Sequence, residues 1–360
     1  MAEDTGGPDG AGDPVSRPPV ARVLRPGWWL VSAVIVSAAA VVAVSRRHDL
    51  ASALRLMGAI PPGRLGLAAL LEALSLLCMA AMQWWLLKAG GARLGFGRVA
   101  AMVMAANAVA GALPAGAAFA ASWLFRQLRR RRVSLVLAGA VLAVSGVMSG
   151  LALFSLLVAG VLAGGGVGSA AGLRAAVLWL TAALVLVTVG TVALAHFPPV
   201  RRRVRRAWRR IGVRSSRMWS IEDGLSHLVR HVRAKQPGVR PWLTPFALAL
   251  SNWVLDVACL GACAWGLGIA LPWPGTLVAY VLTQMAGALR LTPGGLGIVE
   301  TGLAALLVFY GLRVDQAIAL TLLYRIASYW APQPIGWASW LGLTVASHRQ
   351  ARTERGEPRT

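Results

Sequence analysis

Apolar runs long enough to cross a lipid bilayer recur along this chain, and no other feature narrows its fold as far. Trp28–Ser45, Leu65–Leu87, Val133–Ala163, Leu173–Ala195, Trp242–Ile269 and Ala317–Ala346 each carry at most one charged residue. At 1.5 Å per helical residue, about 20 residues traverse a hydrocarbon core roughly 30 Å thick. Backbone N–H and C=O groups there find no water, so each segment must bond its own backbone, which a helix does. The expected fold is an all-α, polytopic transmembrane helical bundle. Composition points the same way: 14% of residues are charged, against about 25% in soluble domains.

Two further apolar segments are interrupted. Arg98–Leu113 runs into Pro114-Ala115-Gly116 and an Ala-rich stretch ending at Phe125. Thr276–Leu291 runs into Thr292-Pro293-Gly294-Gly295, followed by Ile298–Tyr310. The two interruptions resemble one another. So do Arg132-Val133-Ser134 and Arg313-Val314-Asp315, which follow them at nearly the same offset. We read two halves, about 65–195 and 242–346, as an internal repeat, a common construction in transporters. A basic loop, 198–241, joins them within a membrane domain spanning 28–347. Residues 1–27 read as a disordered tail, rich in Gly, Pro and Asp and lacking the pattern of a signal peptide. Residues 348–360 read as a polar tail.

Arginine placement sets the orientation, because cytoplasmic loops retain Lys and Arg. Arg126–Arg132, Arg201–Arg214 and the tail from Arg349 are expected inside, with the uncharged loops 164–172 and 271–275 outside. If each interruption is a re-entrant hairpin, the chain has six full spans, both termini inside and an inverted repeat. Arg46, Arg47, Arg55 and Arg64 then lie outside, against the rule. If the interrupted segments cross as broken helices, the count is eight.

The formal net charge of +23 is concentrated in these short loops. Orientation explains that without nucleic acid, and the loops suit anionic lipid headgroups. Within 198–241, Met218–Val232 fits either an amphipathic surface helix or a solvated linker. Cys78, Cys259 and Cys263 lie in apolar runs as small buried hydrophobes, and His227 and His231 lack a third ligand, so no metal site is expected. No cofactor motif, phosphate-binding loop or catalytic constellation is present, which argues for a transporter rather than an enzyme.

Candidate site residues cluster at the interruptions. A helix beginning near Gly295 turns its free N–H groups toward an anion such as phosphate, and Pro293, Gly294, Gly295 and Gly297 shape its entry. A competing reading makes the break a packing kink. Glu72, Asp256, Glu300, Arg290 and Arg325 are charges within apolar segments, each costly there and therefore a functional candidate. Glu300 is expected to pair with Arg325 or Arg290, either at a binding site or as a structural ion pair. Glu72 and Asp256 occupy the spans preceding the two interruptions, as matching positions. Asn107 and Gln284 are placed to satisfy freed backbone groups beside Pro114, Gly116 and the second break.

The run Leu291-Thr292-Pro293-Gly294-Gly295-Leu296-Gly297-Ile298-Val299-Glu300, with Tyr324-Arg325-Ile326 and Pro332, resembles the transmembrane flippase-like domain of lysylphosphatidylglycerol synthases. Asn107, Pro114, Gly116 and the Arg126–Ser134 stretch are similar to that family's first-half motif. The resemblance covers roughly Leu65–Ala346. It implies movement of an aminoacylated phospholipid between leaflets, with a separate soluble domain making the lipid. Where many members carry an acidic residue, this chain has Ala117, Ala118 and Phe119, so the resemblance extends to lipid handling rather than to a lysyl cargo.

The leading expectation is a lipid translocase in a bacterial cytoplasmic membrane, its partners being membrane lipids with anionic or aminoacylated headgroups and a separate lipid synthase. The rivals are a lipid-modifying enzyme using Glu300 as acid or base, and a scaffold for a synthase. The oligomeric state has no signature in the sequence.

Overall fold

The computed structural model describes residues 60–112, 116–164, 240–288 and 293–354, all within one unit covering 47–360. The spans expected at 28–45 and 173–195, residues 198–239 of the basic loop with its surface helix, Pro114 and Arg290 lie outside the described residues.

Every regular element among the described residues is helical. In chain order they are α1 Pro62–Ala89, α2 Phe96–Ala112, α3 Gly116–Arg130, α4 Leu135–Ala163, α5 Arg240–Gly266, α6 Trp273–Ala288, a 3₁₀ turn Pro293–Gly295, α7 Ile298–Phe309, α8 Val314–Arg325, a π-helical turn Ile326–Trp330 and α9 Pro332–Glu354. The chain is a multi-pass helical membrane protein. Among the described residues, three helices are long and apolar enough to cross a bilayer: α1, α4 and α5 from Trp242.

Local chemistry sets the boundaries. Pro62 stands at the first helical position of α1, where its missing N–H forfeits no bond. Ser134 caps α4 by accepting the Leu137 amide at 3.2 Å. The last apolar stretch, 317–346, which contains Pro332-Gln333-Pro334, changes its helical period partway along. Pro332 and Pro334 have no N–H to give to the preceding turn. The backbone widens before them, and the Ala331 amide reaches back five residues to the Ile326 carbonyl at 2.9 Å. Beyond it, α9 runs on to Glu354 through residues expected as a polar tail, a sequence of good helix formers such as Arg, Gln and Ala.

The packing is that of a protein in lipid. On α1, Ala68, Glu72 and Ser75 face inward, while Leu70, Leu74 and Leu77 are exposed by 56%, 41% and 44%. Small and polar side chains inside with leucines outside reverses the pattern of a soluble helix and matches helix association in a membrane. α1 and α5 run antiparallel along their length. Arg64 stacks on Trp265 at 4.4 Å, Glu72 lies beside Asp256, and the Ser75 hydroxyl donates to the Asn252 carbonyl at 2.9 Å. α2 and α9 also pair antiparallel, and close enough that a Cβ on Gly336 would stand 2.6 Å from that of Ala108.

Candidate functional site

The second interruption is built from backbone that side chains rarely permit. Gly294, Gly295 and Gly297 all have positive φ, at 61°, 69° and 83°, the left-handed region that glycine enters without a Cβ penalty. Space is short as well: a Cβ on Gly294 would collide with the Tyr329 hydroxyl, and one on Gly295 would stand 2.8 Å from the Val299 side chain. The break is therefore fixed by conformation and by contact together.

One arginine and one carboxylate hold it. Arg325, in the last turn of α8, donates from Nε to Glu300 Oε1 at 2.7 Å and from Nη2 to the Gly294 carbonyl at 2.9 Å. Glu300 Oε2 accepts the Gly297 amide, also at 2.7 Å. That amide is among the free N–H groups at the start of α7. The anion at this helix terminus is thus the chain's own carboxylate. Of the two partners expected for Glu300, Arg325 is the one seen. The side chains of Arg325 and Glu300 are 10% and 20% exposed, so the pair sits near the edge of the interior. No hydrogen bond from Arg325 Nη1 is formed among the described residues.

Tyr329 connects this break to the other. Its ring lies 4.3 Å beneath the Arg325 guanidinium, a cation–π arrangement. Its hydroxyl donates to the Gly111 carbonyl at 2.8 Å, in the last turn of α2 and just before the first interruption. Gly111 is itself crowded by Tyr329 and by Gln333. Gly116 restarts the chain so close to α2 that a Cβ there would run into the Ala110 carbonyl. Tyr329 was missed by sequence reading. The available signal was an aromatic residue four positions after Arg325, which a helix places on one face.

Three expected site residues stand elsewhere. Among the described residues Gln284 joins a different group: its Nε2 donates to Asp256 Oδ2 at 3.1 Å and lies 3.2 Å from the hydroxyls of Tyr280 and Tyr324. Glu72 and Asp256 lie on the two long helices that precede the interruptions, α1 and α5. The antiparallel pairing of α1 with α5 brings them together in a second buried cluster, with Cys259 and Cys263 nearby. Asn107 lines a cavity of about 190 Å³ with Met79, Gln83, Ala110, Ala120 and Leu124.

A larger cavity, about 360 Å³, opens at the turns after α1 and α3, lined by Arg93, Arg131 and Arg132 among others. Partial burial, and then the nearby Arg98, hold the Arg131 guanidinium below the usual arginine range. Its Nε has no hydrogen-bond partner among the described residues.

Comparison with known proteins matches residues 29–336 to the family model described as "Lysylphosphatidylglycerol synthase TM region". Two proteins of Methanothermobacter thermautotrophicus, each named "UPF0104 membrane protein", are 33% identical over 97 residues and 28% identical over 91. These alignments cover 27% and 25% of this chain, and 28% and 27% of the relatives. An uncharacterized protein of Synechocystis sp. is 32% identical over 124 residues, covering 32% of this chain and 38% of that one. Each alignment spans well under half of the curated relative it matches. The family match takes in both interruptions, the Glu300–Arg325 pair and Tyr329, and the chain belongs to the lysylphosphatidylglycerol synthase TM region family.

Proposed function

We propose that the chain is a lipid translocase, moving a phospholipid or glycolipid between the leaflets of a prokaryotic cytoplasmic membrane. The observation that carries this reading is Arg325, held at a break in a membrane helix by Glu300 and the Gly294 carbonyl. A guanidinium has five donors in a planar fork suited to phosphate. A headgroup phosphate arriving at the break competes with Glu300 for Arg325 and with the same carboxylate for the Gly297 amide. Glu300, once displaced, is free to meet an amine on the headgroup. The acyl chains remain in lipid, outside the leucine-covered faces. Gly294, Gly295 and Gly297 admit the headgroup to the backbone beside Pro293, and Gly116 and Asn107 belong to the opposite half. Arg93, Arg131 and Arg132 supply a second basic surface for anionic headgroups.

The element lengths support the re-entrant, repeated arrangement. In each half a long helix (28 and 27 residues) precedes a short one (17 and 16), then the break, then another short one (15 and 12). A helix of 16 residues extends about 24 Å, short of the bilayer core. Two hairpins dipping in from opposite faces, six full spans and cytoplasmic termini follow from this reading. The lipid comes from a separate synthase.

Reconstitution tests the proposal. Purified protein in vesicles should expose inner-leaflet fluorescent lipid to an external quencher, and Arg325→Ala in folded protein should slow this markedly. Headgroups that stay on their starting side with the unaltered protein would defeat it.

A further inference from the structure

One residue before Arg325, the chain enters the second buried polar cluster, which contains two carboxyl groups and no cation among the described residues. Asp256 is its centre. Tyr280 donates its hydroxyl to Oδ2 at 2.7 Å, Tyr324 donates to Oδ1 at 2.8 Å, and Gln284 Nε2 donates to Oδ2 at 3.1 Å. Three donors converging on one carboxyl stabilise its ionised form. Glu72, only 5% exposed, comes within side-chain hydrogen-bonding reach of the same carboxylate. Its Oε2 has no hydrogen-bond partner among the described residues.

Two ionised carboxylates at that contact, away from water, repel strongly. A hydrogen bond between two carboxyl groups needs a proton on one of them. The donors already surrounding Asp256 make it the acceptor, which places the proton on Glu72. Among the described residues, nothing nearby offers an alternative counter-charge. α5 contributes Cys259 and Cys263, α6 contributes Tyr280, and α8 contributes Tyr324. α4 has no ionisable residue. Arg98, in the first turn of α2, faces Arg131. Arg325 is engaged by Glu300 and Gly294, and Tyr329 of the π-helical turn bonds Gly111.

We propose that Glu72 and Asp256 form a proton-binding site, in which one exchangeable proton resides on Glu72 while Tyr280, Tyr324 and Gln284 stabilise the charge on Asp256. On release, the O–H bond of Glu72 breaks, the electron pair stays on its oxygen and the proton passes to water. The pair is then doubly anionic, and repulsion acts between α1 and α5. Tyr324 carries that change to α8, where the next residue holds the broken segment. Proton binding itself does not depend on the chain moving lipid.

Infrared difference spectroscopy of the full chain in lipid nanodiscs tests this, by pH titration in H₂O and D₂O with choline as the added cation. The wild type should show a protonated-carboxyl C=O stretch that shifts in D₂O and fades with rising pH, and Glu72→Gln should lack it. Tyr324→Phe, which keeps both carboxyls, removes one donor from Asp256 and should move the midpoint to higher pH. Several results would overturn the site: a band undiminished in Glu72→Gln, a wild-type band unaltered at every pH, or a midpoint unmoved in Tyr324→Phe. Displacement of the band by sodium at constant pH would make this a metal-cation site and overturn the assignment equally. If Glu72→Gln does not fold, the wild-type and Tyr324→Phe titrations decide alone.

Discussion

The Tyr329 hydroxyl donates to the Gly111 carbonyl at 2.8 Å, while the same ring lies under the Arg325 guanidinium at 4.3 Å. Gly111 belongs to the last turn of α2, whose carbonyls have no partner further along the helix. A single side chain therefore satisfies one interrupted segment and supports the arginine that holds the other. The wide π-helical turn before Pro332 puts the ring there. Tyr329→Phe should cost about 1 kcal/mol through the lost hydrogen bond. Tyr329→Ala should cost more, since the cation–π contact adds about 0.5–2 kcal/mol. Unfolding in detergent should rank them in that order; equal losses would show that the ring contributes nothing.

Gly294 meets two constraints at once, a φ of 61° and the Tyr329 hydroxyl. Gly294→Ala should destabilise by at least about 1–2 kcal/mol from the left-handed backbone alone, with the collision added. Gly139, within α4, has open space where a Cβ would go. Gly139→Ala should instead stabilise by roughly 0.5–1 kcal/mol. Thermal unfolding of the two variants side by side checks the contrast.

The Glu300–Arg325 pair should show strong coupling. Removing one partner of a buried pair costs about 3–5 kcal/mol, because a charge is left without compensation. Partial exposure of both side chains places this pair toward the lower end. Glu300→Gln and Arg325→Met should each destabilise, and the double variant should lose less than the two losses combined. A double-mutant cycle measures this; strict additivity would mean that Arg325 draws its stability from Gly294 and Tyr329.

Much of the fold was legible because hydrophobic length and helix-ending residues are local properties. Leu65–Leu87 became Pro62–Ala89 and Arg98–Leu113 became Phe96–Ala112, shifts of three residues or fewer. The glycine-bounded break and the Glu300–Arg325 pairing were legible for a related reason: a charge in an apolar run must find a partner. The meeting of Glu72 with Asp256 was not, because it depends on α1 and α5 lying antiparallel in register. Gln284 was misassigned for the same cause. Its neighbours in sequence are the broken backbone, but its neighbours in space are Tyr280 and Tyr324. The spacing of Tyr329 from Arg325 was legible, but its bond to Gly111 was not, because that depends on α2 lying against the chain near Pro332.

The hairpin arrangement makes a topological prediction. Single cysteines introduced at Ser169 and Arg313, in a background without the native ones, should both react with an impermeant thiol reagent from outside intact cells. Arg313 is well exposed, with its side chain 75% accessible. Reaction at Arg313 only from the cytoplasmic side would require the second interrupted segment to cross completely.

Lipid movement in sealed vesicles tests the central claim most directly. Vesicles carrying the protein should give an external quencher access to fluorescent phospholipid in both leaflets, and Arg325→Ala should slow the approach to that state by about tenfold or more. Quenching that stops at the outer leaflet with the unaltered, folded protein would contradict the account.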